Sequence, residues 1–259
     1  MLEAAALVAS AFDGVASAYD AQFGTNPIGL HLRHVVQERA RLAFPRGARV
    51  LDLGCGTGED ALFLAGLGLA VHAVDVAPAM IDRARTKAAE RGMGEASVRF
   101  EVRAAEDVGL IGAPFGGAFS NFGALNCADL PRVGPALAGV LRPGAPLIFS
   151  VIGPRPLPGL VGQALTGRPA RSTEGPRVSG APVPFRALSF RDLSRGLGTS
   201  FAWTSCAALG VVVPAPAHEA WARENPIAFG LLAAAERLVR SWPVLRGLGD
   251  HLLVEGRRL

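Results

Sequence analysis

The feature that most limits how this chain can fold is a glycine-rich turn, Gly54–Gly58, which joins two segments of opposite character. The short apolar run 48–53 before it predicts a buried strand of a parallel sheet. The segment after it, 59–67, is predicted to be a helix. Glycines in such a turn let the backbone approach a ligand, because they carry no Cβ. In an open α/β sheet this turn lies at the carboxyl ends of the strands, so the sequence predicts a ligand site there.

Strand and helix patterns alternate from residue 48 to residue 152. Strands are predicted at 48–53, 70–75, 97–103, 115–122 and 145–152. Helices are predicted at 28–44, 59–67, 79–91 and 130–141. Alternation at this spacing implies right-handed βαβ units. We therefore predict an α/β fold with a doubly wound, mostly parallel, seven-stranded sheet of Rossmann-like type.

Three parts of the chain are expected: an N-terminal helical cap (1–47), a ligand-binding core (48–152) and a C-terminal part (153–259). The C-terminal part is predicted to complete the sheet with strands at 201–213 and 250–258, and to carry helices at 189–197 and 226–239. Two insertions, 153–185 and 214–249, interrupt it, and the first is rich in proline and glycine. Long irregular segments in compact domains are usually lids or disordered, so we interpret both insertions as lids over the ligand edge.

The charge pattern argues against a nucleic-acid partner, although the formal charge is +4. Lys87 is the only lysine, and the arginines are scattered among acids rather than gathered into a basic stripe.

The apolar window 61–81 contains Asp75 and Pro78, which favours a buried helix and strand over a membrane span. Three widely spaced cysteines form neither a disulfide framework nor a CxxC metal site. Together with an N-terminus that lacks a basic secretory leader, this predicts a cytoplasmic protein.

Asp75 ends the predicted second strand. The number of residues between the glycine turn and this acid suits a nucleoside ligand. A carboxylate at this position can accept hydrogen bonds from both hydroxyls of an adenosine ribose. Dinucleotide-binding oxidoreductases of the NAD type also use a glycine turn and an acid, but their motif is GxGxxG. Here Gly58 follows Gly56 by two positions, and Glu59 would oppose a pyrophosphate at the start of the helix. A ligand that carries a sulfonium and an ammonium is compatible with that carboxylate.

Three motifs together resemble those of class I S-adenosylmethionine-dependent methyltransferases. Residues 50–58 (VLDLGCGTG) resemble the family signature, especially in the small-molecule branch that includes ubiquinone- and menaquinone-type enzymes. Residues 74–80 (VDVAPAM) resemble the second motif, and 141–145 (LRPGA) the usual entry into the fifth strand. The resemblance covers 48–152 well. It implies an enzyme that binds S-adenosylmethionine and releases S-adenosylhomocysteine.

The resemblance also implies roles for individual residues around the cofactor. The turn would border the methionine part, Asp75 would bind the ribose, and Asp52 would either orient the turn or contact the cofactor. The N-terminal segment would close over the cofactor, with Arg33 pairing its carboxylate. The full set of implied cofactor contacts is Tyr19, Arg33, Asp52, Gly54, Cys55, Gly56, Gly58, Asp75, Val76, Met80, Ala105, Glu106, Asn121 and Phe122.

Methyl transfer from a sulfonium is an in-line displacement, so positioning of the acceptor is the main requirement. A general base is needed only for an acceptor that must lose a proton. The candidates for a base are His31, His34, His218 and Glu219. Asn126 and Cys127 could contact the acceptor.

The apolar insertions predict a small, mostly apolar acceptor that is methylated on oxygen or carbon. The fourth strand lacks the acid that a metal-dependent mechanism would use, so no metal site is expected. A cofactor-binding scaffold without turnover, and transfer to nucleic acid or protein, remain alternatives. The oligomeric state is left open.

Overall fold

The computed structural model describes residues 2–112, 114–167, 177–178 and 181–259. Seven strands form one sheet: β1 (Arg49–Leu53), β2 (Ala70–Asp75), β3 (Val98–Val102), β4 (Gly117–Ser120), β5 (Pro146–Ile152), β6 (Phe201–Leu209) and β7 (His251–Arg258). Their order is β3-β2-β1-β4-β5-β7-β6. The first five strands pair in parallel, and β7 runs antiparallel to both of its neighbours. The predicted doubly wound α/β sheet is therefore confirmed.

The described chain has ten α-helices, of which the first three precede β1 and the others lie between strands. They are α1 (Leu2–Asp13), α2 (Ala16–Phe23), α3 (Pro27–Ala43), α4 (Glu59–Gly66), α5 (Pro78–Glu90), α6 (Leu130–Val140), α7 (Leu157–Thr166), α8 (Phe190–Leu197), α9 (Glu219–Glu224) and α10 (Pro226–Val239). Short 3-10 turns cover Ala105–Ile111, Ala124–Asn126 and Pro216–His218. None of the described helices is long and apolar enough to cross a membrane.

Alternation along the strands divides the core between the two faces of the sheet. On β1, Val50 packs on one face with apolar residues of α3, α4 and α5. Leu51 and Leu53 pack on the other face with residues of α6 and α8. Since side chains of a strand point alternately to opposite faces, one apolar run can supply both layers. This packing fixes the carboxyl ends of β1, β2 and β4 along one edge.

Three predicted elements differ from the structure. Residues 157–166 form α7 although 153–185 was predicted to be irregular; apolar residues continue through the helix, and proline is tolerated in a first turn. Strand β6 ends at Leu209 rather than 213, because Gly210 (φ +73°) turns the chain. Strand β4 is shorter than 115–122. Residues 168–176 and 179–180 of the first insertion lie outside the described residues, and the division into three parts with two lids stays a prediction.

The N-terminal helices are fastened over the carboxyl edge of the sheet by two aspartates. Asp13, at the end of α1, accepts a hydrogen bond from the Ala79 N–H at the start of α5 (2.8 Å). Asp20, on α2, accepts one from the Thr57 hydroxyl (2.6 Å) beside the glycine turn. Helices α1 and α2 thus contact the glycine turn and the start of α5 at this edge.

Candidate functional site

A cavity of about 1040 Å³ lies at this edge of the sheet. Its walls come from the glycine turn, the end of β2, the segments 103–107 and 121–124, and helices α1, α2 and α3. Pockets for a single small ligand are commonly about 300–1,000 Å³. The cavity lies at the upper end of this range, so two ligands that each need a volume near the lower end would fit in it together.

The glycine turn is locked to strand β2. The N–H groups of Gly54 and Cys55 both donate to the carbonyl of Val74, at 2.8 and 3.0 Å. Gly54 has φ +69°, and a Cβ on it would lie 2.1 Å from the Cβ of Ala124. Gly56 (φ +52°) faces open space, so its backbone can touch a ligand directly. The positive φ explains why glycine stands at both positions, and the close approach of Ala124 is a second reason at Gly54.

Asp75 holds its carboxylate beside this turn. Its Oδ2 accepts a hydrogen bond from the Gly56 N–H (2.8 Å), and its Oδ1 accepts one from the Ala77 N–H (2.9 Å). Burial raises the pKa of Asp75, and the hydrogen bonds from these backbone N–H groups oppose that shift. A carboxylate oxygen can accept more than one hydrogen bond. Asp75 can therefore accept two further donors from a ligand in the cavity.

A second acid, Asp60, gathers three side chains at the inner wall, and sequence reasoning missed it. Its Oδ1 accepts from Gln37 Nε2 (2.8 Å), and its Oδ2 accepts from Asn121 Nδ2 (3.1 Å) and from Arg33 Nη1. Arg33, Asp60 and Asn121 all line the cavity. The guanidinium of Arg33 has five N–H donors, so its pairing with Asp60 leaves it able to bind a ligand carboxylate as well. The only signal in the sequence is an acid in the first turn of the helix after the glycine motif.

Phe122 adopts a strained backbone conformation in the cavity wall. Its φ is +53°, which is unusual for a residue with a Cβ and costs of order 1–3 kcal/mol. The side-chain Oδ1 of Asn121 accepts the Phe122 N–H at 2.9 Å. The Arg33 guanidinium lies 4.8 Å from the ring centre of Phe122, and the His251 ring contacts it edge-on at 5.3 Å. These contacts hold the ring in one orientation.

Asp52 is buried beneath the turn and does not line the cavity. It is 1% exposed, and its Oδ2 has no hydrogen-bond partner among the described residues. Burial raises its pKa well above the usual value, the charges of Asp60 and Asp75 raise it further, and Arg33 opposes them. The two roles expected for Asp52 both remain predictions.

Lys87 links helix α2 to the start of α4 through ion pairs. Its ammonium is buried and lies 3.0 Å from Asp20 Oδ1 and 2.7 Å from Glu59 Oε1. Burial alone would raise the pKa of Glu59, but its hydrogen bonds and ion pairs with Lys87 and Arg91 outweigh this and lower it. Glu59 therefore carries a negative charge in the cavity wall. That charge is balanced by the ammonium of Lys87 and the guanidinium of Arg91.

The outer wall of the cavity is apolar and comes largely from α1. Ala4, Ala5, Val8 and Phe12 line it, and sequence reasoning did not single them out. The apolar run within residues 2–13 was the available signal. Tyr19, from α2, lines the cavity as predicted; burial raises the pKa of its hydroxyl, and the charge of Arg33 opposes that shift.

Most of the remaining predicted cofactor contacts reach the cavity. Cys55, Val76, Met80 and Ala105 are among its lining residues. Gly58 itself is not; it turns the chain at φ +82° against the ring of Phe100. Glu106 lines the cavity, and its Oε1 accepts the Asp129 N–H at 2.7 Å.

None of the four candidate bases lines the cavity. His31 packs edge-on against Phe229 (5.8 Å between ring centres), and His34 and His218 are exposed. Glu219 pairs with Arg223 at 3.5 Å. A general base must come within hydrogen-bond reach of the proton that it takes, so we assign this role to none of them.

The two residues expected to contact an acceptor differ from each other in the structure. Asn126 is buried, and its side chain is used up by hydrogen bonds to Ile152 N and to the carbonyls of Ile152 and Arg186 (2.7–2.9 Å). That expectation is corrected, because the amide supports the loop instead. Cys127 does line the cavity.

Cys127 is expected to react slowly with alkylating reagents. Burial raises its pKa to about 11, and the charge of Asp75 adds to this shift. A free thiol titrates near 8.5, and the thiolate is the reactive form. Alkylation of Cys127 by iodoacetamide, followed by peptide mass spectrometry, should keep accelerating about tenfold per pH unit from pH 7 to 9.5. Glutathione in the same solution serves as the reference, and its rate should level off near pH 9. A plateau at the same pH for Cys127 would contradict a raised pKa of this thiol.

Comparison with known proteins identifies the central segment. Residues 50–144 match the family described as "Methyltransferase domain". This segment holds the glycine turn, Asp60, Asp75 and strand β4, so most of the inner wall of the cavity belongs to the matched domain, whereas Arg33 comes from outside it. The resemblance of this segment to methyltransferases, which its motifs predicted, is thereby confirmed.

Two curated relatives and one solved structure illustrate the similarity. A ubiquinone biosynthesis O-methyltransferase of Xanthomonas axonopodis is 34% identical over 119 residues, which cover 43% of this chain and 46% of the relative. A malonyl-[acyl-carrier protein] O-methyltransferase of Serratia marcescens is 32% identical over 151 residues, covering 56% and 52%. The chain thus spans about half the length of these relatives. Magnesium protoporphyrin IX methyltransferase from Synechocystis, solved with bound S-adenosylhomocysteine, has a TM-score of 0.61 at 16% identity over 98% of this chain and 99% of its own, which shows a shared fold.

Proposed function

We propose that this chain, whose residues 50–144 match a methyltransferase domain, transfers the methyl group of S-adenosylmethionine to a small, mostly apolar metabolite. One observation carries this proposal: the Asp75 carboxylate is held against the glycine turn, at the wall of a cavity with room for two small molecules. The carboxylate suits a ribose, and the remaining space suits an acceptor.

The residues present fit this cofactor. Asp75 accepts the two ribose hydroxyls, and Val76, Met80 and Ala105 offer an apolar surface to the adenine. At the other end, Arg33 takes the carboxylate of the methionine part while Asp60 holds the guanidinium in place. Gly54, Gly56 and Cys55 border that part of the cofactor, and Tyr19 covers it from α2.

The charge of the wall favours this cofactor over a dinucleotide. Glu59, Asp60 and Asp75 all line the cavity around the start of α4. Glu59 is paired with Lys87, and Asp60 is paired with Arg33, so their charges are partly balanced. The carboxylates still make the start of α4 less favourable to a pyrophosphate than a helix N-terminus without acids, and they suit a ligand that carries a sulfonium and an ammonium. The dinucleotide-binding oxidoreductase is therefore the weaker candidate.

The acceptor is proposed to lie between α1 and the segment 121–127. The α1 side of this space is formed by Ala4, Ala5, Val8 and Phe12, which favours an apolar molecule. Relatives named as O-methyltransferases support oxygen as the acceptor atom, with carbon as the second choice.

The chain's own contribution to the reaction is positioning. When bound, S-adenosylmethionine supplies an electrophilic methyl group on a sulfonium. The locked glycine turn and the fixed ring of Phe122 hold the reacting groups in line, and α1 and α2 keep water out. Such alignment can lower a barrier by up to about 7–11 kcal/mol.

Calorimetric titration with S-adenosylmethionine, S-adenosylhomocysteine and NAD tests the cofactor. Saturable binding of both adenosyl ligands and none of NAD is expected; the reverse would refute the proposal.

Incubation with methyl-labelled cofactor and a panel of apolar phenols and carboxylic acids then tests the acceptor. Tight cofactor binding with no labelled product from any acceptor would favour a silent scaffold. If labelled product forms only with nucleic acid or protein, and if its formation is lost at high salt, a polymer is favoured as the acceptor.

A further inference from the structure

Helix α10 presents an apolar stripe to solvent. Ile227, Leu231 and Leu238 are between 69% and 81% exposed. Their spacing of four and seven residues places them on one face of the helix, because an α-helix repeats every 3.6 residues. The exposed small residue Ala234 lies between them on the same face.

Two further exposed apolar residues follow in the segment after the helix. Trp242 and Val244 are 56% and 82% exposed. Other large apolar residues exposed in the described chain are spread over several separate elements. Single exposed apolar residues are ordinary, but a contiguous group marks an interaction surface. We refer to Ile227, Leu231, Leu238, Trp242 and Val244 as the α10 surface.

The side of α10 that faces the protein is firmly attached. The carboxylate of Glu236 is buried and accepts hydrogen bonds from the N–H groups of residues 210–213 (2.8–3.2 Å). Phe229 packs against His31 of α3. Because the inner side of the helix is fixed in this way, the outward direction of the α10 surface is fixed as well.

The exposed charged side chains on α10 and on the segment that follows it are positive. They are those of Arg237 and Arg246. Between residues 225 and 249 the only acid is Glu236, and its carboxylate is buried among backbone N–H groups. The surface therefore combines apolar side chains and a tryptophan with exposed positive charge. Amphipathic helices that lie on anionic membranes have this composition.

We propose that the α10 surface docks on the face of an anionic lipid bilayer. The apolar stripe enters the boundary between headgroups and acyl chains, and the arginines meet lipid phosphates. Helix α10 has 14 residues and is about 21 Å long, which is shorter than a hydrocarbon core of about 30 Å, so it lies in the plane of the surface. A second copy of this chain is disfavoured as the occupant, because a twofold contact would bring the arginines of both copies together.

Sedimentation with lipid vesicles tests this inference independently of methyl transfer. The full chain is mixed with vesicles of phosphatidylcholine alone or of phosphatidylcholine with phosphatidylglycerol. We expect clear binding to the second kind, weaker binding to the first, and loss of binding at high salt. The variant Leu231→Ser with Leu238→Ser should bind the anionic vesicles about tenfold more weakly, and Arg237→Glu with Arg246→Glu at least as weakly.

A matched control removes two equally exposed leucines outside the α10 surface, Leu42→Ser with Leu110→Ser, and should bind like the unmodified chain. Because all these residues are exposed, each variant is expected to fold, which far-ultraviolet circular dichroism verifies. Absence of vesicle binding, or equal binding by the Leu231/Leu238 variant, would overturn the proposal. So would concentration-dependent dimerisation that this variant abolishes while vesicles have no effect, since the surface would then bind a second copy.

Discussion

Replacing Asp75 by alanine is expected to weaken the binding of S-adenosylmethionine by about 100-fold or more. The variant loses two hydrogen bonds from ribose hydroxyls to a carboxylate, each worth about 1.5–3 kcal/mol. It also loses the anchor for the Gly56 N–H, so the turn is held less firmly against the ligand. Calorimetric titration of the variant and of the unmodified chain measures the difference.

The matched control for this variant is Asp82→Ala. Asp82 lies on α5, is exposed, and pairs with Arg85 at the surface (3.3 Å), so its loss should leave cofactor binding unchanged. Thermal unfolding adds a second measurement. Saturating cofactor at about 100 times its dissociation constant stabilises a protein by about 2.7 kcal/mol, so Tm should rise in the unmodified chain and in Asp82→Ala. An Asp75→Ala variant whose Tm still rises as much would show that this carboxylate does not bind the cofactor.

Replacing Glu236 by alanine is expected to lower the free energy of unfolding by about 4 kcal/mol or more. Its Oε1 accepts the Gly210 N–H, and its Oε2 accepts those of Val211, Val212 and Val213. The side chain is 2% exposed, so its removal leaves buried N–H groups without an acceptor, at about 1–3 kcal/mol each. Unfolding in urea, followed by circular dichroism, measures this change.

Glu224→Ala is the control, because Glu224 is an exposed acid close by in the chain, on α9. Its removal should change the unfolding free energy by less than about 0.5 kcal/mol. Glu236→Gln keeps the shape but turns an amide NH₂ toward N–H donors, so it should also be destabilising. If Glu236→Ala unfolded at the same urea concentration as the control, the carboxylate would not be what attaches α10 and orders residues 210–213.

The local sequence determined those parts of the site that are built from a few consecutive residues. The apolar run before Gly54, the glycines that tolerate positive φ, and the acid at the end of the next strand each depend on backbone chemistry within a few residues. Alternating strands and helices then place Gly56 and Asp75 at one edge, because parallel strands in βαβ units share their direction. For this reason the fold class, the glycine turn and Asp75 were predictable without coordinates.

Side-chain partnerships between distant elements were decided only by tertiary structure. Arg33 and Asp60 are 27 positions apart, and they meet because α3 packs on α4. His31, only two residues before Arg33, points elsewhere, to Phe229 on α10, since positions two apart on a helix lie on different faces. Glu236 reads in the sequence as an ordinary surface acid of a helix, yet it caps a loop that begins 26 residues earlier. The local pattern sets the direction of each backbone segment, whereas the packing of helices sets which side chains meet.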